Sequence, residues 1–137
     1  MKSGTIASMT DYVRINRVNG TSINVTNLHT GTNFDIHGQV LLDEMKSADD
    51  FKTVKKVTKT ELAEVLTSAY NIALQVKFVK SNGEERVIRG RMTSSEPLMG
   101  RSYVEDLDLT DKKNRIRLVD HRTLQYVIVD GVKYESK

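Results

Sequence analysis

The fold is decided by the stretch Arg86-Val87-Ile88-Arg89-Gly90-Arg91-Met92, in which charged and apolar residues alternate. Successive side chains of a β-strand point to opposite faces of a sheet, so this spacing predicts a strand with one apolar and one basic face. The later stretch Asn114-Arg115-Ile116-Arg117-Leu118-Val119 alternates in the same way. If the two strands share a sheet, we expect four guanidinium groups on one outer face, from Arg89, Arg91, Arg115 and Arg117.

The C-terminal half around these stretches is predicted to be a small closed β-barrel over residues 72–137. It contains about five short β-type segments, separated by turn signals such as Ser81-Asn82-Gly83 and Asp130-Gly131. Closing a sheet into a barrel removes its exposed edges, which favours a barrel for many short strands.

The N-terminal half is predicted to be a β-meander that closes as a second small barrel over residues 1–57. Asn19-Gly20 is a strong signal for a type I′ hairpin, because both central residues of that turn need positive φ. Further strands are expected at residues 21–27 and 33–36, and Phe51 through Val57 is a candidate for a closing strand. The segment Val40-Leu41-Leu42 is compatible with either a strand or a short helix.

An amphipathic helix is predicted between the two halves, over residues 58–71. Thr58 and Glu61 have the spacing of a capping box, in which each side chain accepts a hydrogen bond from the other residue's amide. An apolar stripe with helical spacing follows, formed by Leu62, Val65, Leu66 and Ala69. The predicted fold class is therefore mainly β, with two small SH3-, Tudor- or Sm-like barrels joined by one amphipathic helix.

Composition narrows the classes of protein to consider. The 137 residues include no cysteine, which excludes disulfides and thiolate metal sites. No apolar run approaches the roughly 18 residues of a membrane helix, and the first residues lack the apolar core of a signal peptide. We expect a cytoplasmic protein that does not enter a membrane, with its oligomeric state left open. The formal charge of +3 is only weak support for a polyanionic partner.

The basic residues of the C-terminal half are the candidate site. Arginine presents a planar fork of donors that binds phosphate in a bidentate manner. The predicted nucleic-acid contacts are Lys77, Arg89, Arg91, Lys112, Lys113, Arg115, Arg117 and Arg122. The alternative is a solvated basic face whose arginines pair with Glu84, Glu85 or the acidic residues of the loop that follows Tyr103.

Other chemistry is less favoured by the sequence. Tyr103, Tyr126 and Tyr134 are candidates for stacking on bases, although a role in barrel packing is more typical. The three histidines are too scattered to predict a metal site, and no cofactor is predicted. Asp120-His121 suggests a general base, yet no paired serine nucleophile or oxyanion motif is evident beside it. A small hydrolase is the least favoured hypothesis, and the protein is not expected to be an enzyme.

Part of the C-terminal half resembles a known family. The residues that carry the resemblance are 76–86, written VKFVKSNGEER, together with Arg115-Ile116-Arg117-Leu118-Val119-Asp120 and Tyr126-Val127-Ile128. They resemble small phage-encoded domains of the Sm-like, SH3-barrel type that are related to WYL domains. A Trp-Tyr-Leu triplet is absent, so the ligand sensing of those domains is not implied.

The N-terminal meander, with Val18-Asn19-Gly20 and Thr30-Gly31, resembles a Tudor or KOW-type barrel. The two-barrel arrangement is similar to transcription modulators of the MotB type from T-even-type phages. This resemblance implies DNA binding and an influence on phage or host transcription.

Two functions are therefore carried forward. The first is non-enzymatic binding of nucleic acid, DNA rather than RNA and with low sequence specificity, through neutralised phosphates and released counterions. The second is a protein-interaction module that binds and modulates a host protein, such as polymerase or a defence factor, through barrel edges and the acidic loop.

Overall fold

The computed structural model describes residues 12–45, 47–108 and 115–137, and the protein is mainly β, as predicted. The strands are β1 (Val13–Asn19), β2 (Ser22–Asn27), β3 (Asn33–His37), β4 (Val54–Val57), β5 (Ala73–Val79), β6 (Glu85–Glu96), β7 (Arg101–Asp106), β8 (Ile116–Asp120), β9 (Leu124–Val129) and β10 (Val132–Ser136). The helices are α1 (Gly38–Glu44) and α2 (Lys59–Ser68), with single 3-10 turns at Ala48–Asp50, Pro97–Met99 and His121–Thr123.

The strands form two sheets. The first is the antiparallel meander β1-β2-β3, which confirms the predicted order of the N-terminal strands. The second has seven strands in the order β4-β10-β9-β5-β6-β7-β8, and its neighbours are antiparallel except for β4 and β10. In the part of the chain that the structure describes, β4 and β8 are the two end strands of this sheet and are not paired with each other. Closure into SH3-like barrels and the predicted domain boundaries remain predictions.

Helix α2 covers one face of the seven-stranded sheet, which we name the core face. The predicted capping box is confirmed, because the Glu61 amide donates to Thr58 Oγ1 at 3.1 Å and the Thr58 amide donates to Glu61 Oε1 at 2.9 Å. Hydrogen bonds to the carboxylate from the Thr58 backbone and, second, from the Thr58 side chain favour its ionised form and lower the pKa of Glu61. The apolar stripe of the helix packs on the core-face side chains Leu74, Val76, Phe78, Ile88, Met92, Val104, Val119, Leu124 and Val127.

The opposite, outer face of the seven-stranded sheet is partly covered by the first sheet. Val13, Ile15, Ile23 and Val25 form a second apolar cluster together with Leu41 of α1 and Ala73 of β5. The Ile15 amide donates to the Asn71 carbonyl at 2.6 Å, which joins β1 to the start of β5. Of the two possibilities for residues 40–42, the structure has the helix, and Leu41 of this helix packs against the first sheet.

Two local predictions need correction. The expected closing strand is β4, which pairs in parallel with β10 of the other sheet instead of closing the N-terminal meander. The first hairpin turns at Gly20 and Thr21, since Asn19 already pairs with Ser22 and only Gly20 has positive φ. None of the helices in the described part of the chain has the length and apolar character needed to cross a membrane.

Candidate nucleic-acid interface

The arginines of β6 lie on the outer face, as the sequence predicts. Ile88 and Met92 are buried on the core face, and the intervening Arg89 and Arg91 point away from it. In the register of the sheet, Arg89 lies beside Gln75, and Arg91 lies between Ala73 and Glu105. The period-two pattern of this central strand therefore gives the correct face for both arginines.

Arg91 links the two sheets. Its Nε donates to Glu105 Oε1 at 2.7 Å, and its Nη1 donates to the Ile15 carbonyl at 3.3 Å. The side chains of Arg91 and Glu105 are only 18% and 13% exposed. A guanidinium that is neutralised by a neighbouring carboxylate and fixed to the backbone of the other sheet has little freedom to bind phosphate. Its main role in the structure is to hold the first sheet on the second.

Arg89 and Arg115 have related positions. Arg89 donates to both carboxylate oxygens of Asp108, at 3.3 and 3.0 Å, and its Nη1 donates to the Leu42 carbonyl at 3.1 Å. Arg115 is largely buried, and its Nη1 lies 3.8 Å from Glu105 Oε2. Three of the predicted phosphate contacts are thus paired with carboxylates near the junction of the two sheets, as the alternative of a partly paired basic face anticipates.

Arg117 lies on the opposite side of the sheet, so the predicted shared face is wrong for this residue. Its cross-strand neighbour is Val104, a buried core-face residue. Residues that are directly paired across an antiparallel ladder share a face, which places Arg117 on the core face. The alternate residues Ile116 and Leu118 are 49% and 52% exposed. Charged and apolar residues do alternate in β8, but Arg117 faces the core side and the apolar residues are exposed, which is the reverse of the prediction.

The remaining predicted contacts fall outside this face or outside the described residues. The Arg122 side chain is 88% exposed, and its Nε and Nη2 donate to the two oxygens of Asp120 at 3.1 and 2.8 Å. These bonds lower the pKa of Asp120. Lys112 and Lys113 lie outside the described residues.

Lys77 and Arg89 instead meet in a cleft on the outer face, which we name the polar cleft. Its volume is about 660 Å³, and its lining includes Asp49, Lys77, Arg89, Gln125, Tyr126 and Lys133. The floor of the cleft consists of two adjacent rows of residues that are paired across neighbouring strands. The first row is Arg89, Gln75, Ile128 and Lys133. The second row is Val87, Lys77, Tyr126 and Glu135. The residues that follow α1 form one wall.

The cations of the polar cleft are partly compensated. Lys77 Nζ lies 3.4 Å from Glu85, whose side chain is exposed. Lys133 Nζ lies 3.2 Å from Glu135 and 4.8 Å from the centre of the Tyr126 ring. Burial, assisted by the negative charge of Asp49, raises the pKa of Tyr126 above its ordinary value of 10.0.

Sequence reasoning missed Lys133 and Gln125 as members of this site. Lys133 is flanked by Val132 and Tyr134, which is the alternation of a short strand, and that pattern places it on a defined face. The turn at Asp130-Gly131 predicts the hairpin that brings Lys133 beside Ile128, but the pairing of β9 with β5 was missing, and it places Ile128 beside Gln75 and hence Lys133 in the row of Arg89.

A serine and a histidine lie together on the core side of β7. Ser102 Oγ lies 2.7 Å from His121 Nε2 and 2.7 Å from Ser95 Oγ. The serine was not anticipated as a partner of His121, because nineteen residues separate the two in sequence. Ser102 is fully buried, and the carboxylate of Asp120 binds Arg122. Burial lowers the pKa of His121, and the nearby Asp120 opposes this effect in part. The arrangement is a satisfied, enclosed polar network.

Within residues 12–45, 47–108 and 115–137, no group of three or more metal-ligating side chains comes together.

No protein-family model, curated protein or solved structure matches this chain.

Proposed function

We propose that the protein binds nucleic acid without enzymatic activity, with low sequence specificity and with DNA preferred to RNA. The observation that carries this proposal is the meeting of Lys77, Arg89 and Lys133 beside Tyr126 in the polar cleft. The exposed Arg122 and the lysines Lys112 and Lys113 remain proposed as additional contacts. The SH3-, Tudor- or Sm-like identity of the two halves and a role in phage or host transcription belong to the same proposal, on the strength of the resemblance alone.

The ion pair of Lys77 in the polar cleft is compatible with exchange for phosphate. The partner of Lys77 is the exposed Glu85, and such surface pairs contribute only about 0–1 kcal/mol. A phosphate therefore displaces the carboxylate at little cost. The acidic residues Asp49 and Glu135 lie in the same cleft, which favours a shallow backbone contact and weak binding. Binding of this kind depends on the charge of the phosphates more than on the base sequence, so its sequence specificity is low.

Salt dependence tests the proposal. If Lys77, Arg89 and Lys133 neutralise three phosphates, the logarithm of the affinity for duplex DNA should fall with the logarithm of salt concentration with a slope of about −2.7. Fluorescence anisotropy with random-sequence duplex DNA, single-stranded DNA and RNA, between about 50 and about 200 mM salt, measures this slope. Absence of binding to every nucleic acid at the lowest salt concentration would contradict the proposed function.

Substitutions in the polar cleft test whether this surface, rather than another one, binds the nucleic acid. The double substitution Lys77→Gln and Lys133→Gln should reduce the slope by about two, because two phosphate contacts are removed. Arg17→Gln is the matched control, since Arg17 is an exposed cation of β1 on the other sheet. Unchanged binding by the double variant would show that another surface carries the nucleic acid.

A second candidate function is a protein-interaction module that binds a host protein. The observation that favours it is β8, an end strand of the sheet whose Ile116 and Leu118 are half exposed. An end strand is able to pair with an extended segment of another protein, and its apolar side chains then contribute to affinity.

The interaction module is tested by capture of host proteins from a nuclease-treated lysate, followed by binding of the purified partner. Leu118→Lys should weaken that binding, whereas Leu98→Lys, at a fully exposed position in the turn before β7, serves as the control. Equal capture by both variants and the parent protein would argue against β8 as the contact.

A further inference from the structure

A second cavity lies at the end of the seven-stranded sheet, between the β5–β6 hairpin and β8. We name it the end pocket. Its volume is about 330 Å³, and its lining includes Phe78, Lys80, Arg86, Arg117, Leu118 and Thr123. Its lining residues differ from those of the polar cleft, which lies on the outer face of the same sheet.

The charges at the end pocket are predominantly positive. Two of the cations have long ion-pair distances: Arg86 Nη2 lies 3.5 Å from the buried Asp106, and Lys80 Nζ lies 3.7 Å from the exposed Glu84. Asp120 also lines the pocket, but its two oxygens accept hydrogen bonds from Arg122. The carboxylate is therefore largely compensated, and the pocket retains cationic groups that are weakly paired.

Arg117 is the least compensated of these groups. Among the described residues, its guanidinium has no hydrogen-bond or ion-pair partner, and its Nε is buried from solvent. Buried donors in proteins are almost always hydrogen-bonded, and an unsatisfied charged donor is costly. The neighbouring Phe78 and Leu118 are apolar and offer no side-chain acceptor. A guanidinium in this setting is suited to an acceptor from outside the chain.

We propose that the end pocket binds a small organic anion whose carboxylate or phosphate group accepts hydrogen bonds from Arg117 and Arg86. An apolar body on the same ligand packs against Val79 and Leu118, which line the cavity beside the arginines. The cavity volume falls at the lower end of the range of about 300–1,000 Å³ that is typical of small-ligand pockets. The end pocket shares no lining residue with the polar cleft, so it is separate from the nucleic-acid contact proposed there.

The proposal is tested by isothermal titration of the full chain with four probes: phenyl phosphate, benzoate, inorganic phosphate and benzyl alcohol. The first two carry both an anionic group and an apolar body, and they should bind more tightly than inorganic phosphate. Benzyl alcohol has the apolar body alone and should show no saturable binding. Comparison of phenyl phosphate with benzoate identifies the preferred anionic group.

Arg117→Met should weaken binding of the preferred probe at least about tenfold, because a charge-assisted hydrogen bond is lost. Arg117→Lys keeps the charge but not the planar fork, so an intermediate loss is expected. Arg17→Met on the other sheet is the control and should bind as the parent protein does. Thermal unfolding of each ligand-free variant establishes that it is folded before titration.

Three results would overturn the proposal. The first is the failure of all probes to bind the parent protein at millimolar concentration. The second is binding that is unchanged in folded Arg117→Met. The third is a loss of DNA affinity in Arg117→Met equal to that of the polar-cleft double variant, since the pocket would then belong to the nucleic-acid surface. Loss of probe binding with unaltered DNA affinity supports a separate site.

Discussion

Two similar arginine triplets, one in β6 and one at the start of β8, place their last arginines on opposite faces of the sheet. In β6, the triplet Arg89-Gly90-Arg91 has its arginines on the outer face, and its central glycine is buried. The second triplet is Arg115-Ile116-Arg117, whose central residue is exposed and whose last arginine faces the core side. Arg89, Arg91 and Arg115 are therefore ion-paired near the junction of the two sheets, whereas Arg117 lines the weakly paired end pocket.

The difference follows from where the two strands lie in the sheet. β6 has a neighbour on each side and is covered on both faces, by α2 on one and by the first sheet on the other. β8 has one neighbour in the described sheet, β7. Alternation divides the residues of a strand into two sets, but the register with the neighbouring strand decides which set is inside. For an end strand with exposed apolar residues, the sequence gives little indication of that choice.

The largest difference is expected at the central residues of the two triplets. A Cβ added to Gly90 would lie 1.8 Å from the Glu105 carbonyl oxygen, so Gly90→Ala forces β6 and β7 apart. We expect a loss of about 3 kcal/mol or more in the free energy of unfolding, measured by chemical denaturation. Ile116→Ala is the comparison and should cost less than about 1 kcal/mol, because half of that side chain is exposed. Equal losses would remove the distinction between the strands.

A smaller loss is expected from Arg91→Met. The substitution leaves Glu105 with only the long contact to Arg115, and it removes a bond to the first sheet. A partly buried carboxylate without its main partner should cost about 2 kcal/mol in the free energy of unfolding. Adding Glu105→Gln should recover part of that loss, as measured by a double-mutant cycle. A purely additive cycle would indicate that the pair makes no net contribution.

His121, in the 3-10 turn that follows β8, provides a pH test. Because burial lowers the pKa of His121, the unfolded chain binds a proton more readily than the folded protein does. The stability that depends on neutral His121 is present above its ordinary value of 6.5, and it decreases as pH falls below that value. His121→Gln should have a shallower decrease in the free energy of unfolding between neutral and mildly acidic pH. Parallel pH profiles would contradict the assignment of a neutral, buried imidazole.

The smallest effect on stability is expected from Arg117→Met. The guanidinium has no partner to lose among the described residues, and the aliphatic replacement suits the apolar neighbours Phe78 and Val104. The free energy of unfolding should stay the same or rise slightly, because the buried donor that is removed has no acceptor among the described residues. A loss comparable to that of Arg91→Met would mean that Arg117 stabilises the fold, and the two strands would then use their arginines in the same way.

Much of the local structure could be predicted from the sequence. The capping box at Thr58 and Glu61, the meander of β1 to β3 and the two faces of β6 follow from hydrogen-bonding chemistry and from the period of two in strands. The Asp130-Gly131 turn also has positive φ at both residues, as its composition suggests. These features depend on residues that are close in sequence.

The rest depends on pairings between distant segments. The pairings of β9 with β5 and of β10 with β4 were not evident, and the pairing of β9 with β5 determines that Lys133 joins the polar cleft. The register of β8 with β7 determines that Arg117 faces the core side. Ser102 and His121 meet for the same reason, since both belong to segments that the sheet brings together. A single sequence shows which residues alternate, but it does not show which strand lies beside which.

The parallel pair of β4 and β10 has a consequence for synthesis on the ribosome. β4 ends at Val57 and its partner begins at Val132, so β4 emerges long before the strand with which it pairs. During that interval its amides and carbonyls are available to other nascent chains. The two central residues of β4 are Lys55 and Lys56, and lysines on a strand edge oppose association with a second strand. We expect these lysines to act as gatekeepers that oppose pairing of β4 with other chains until β10 has been made.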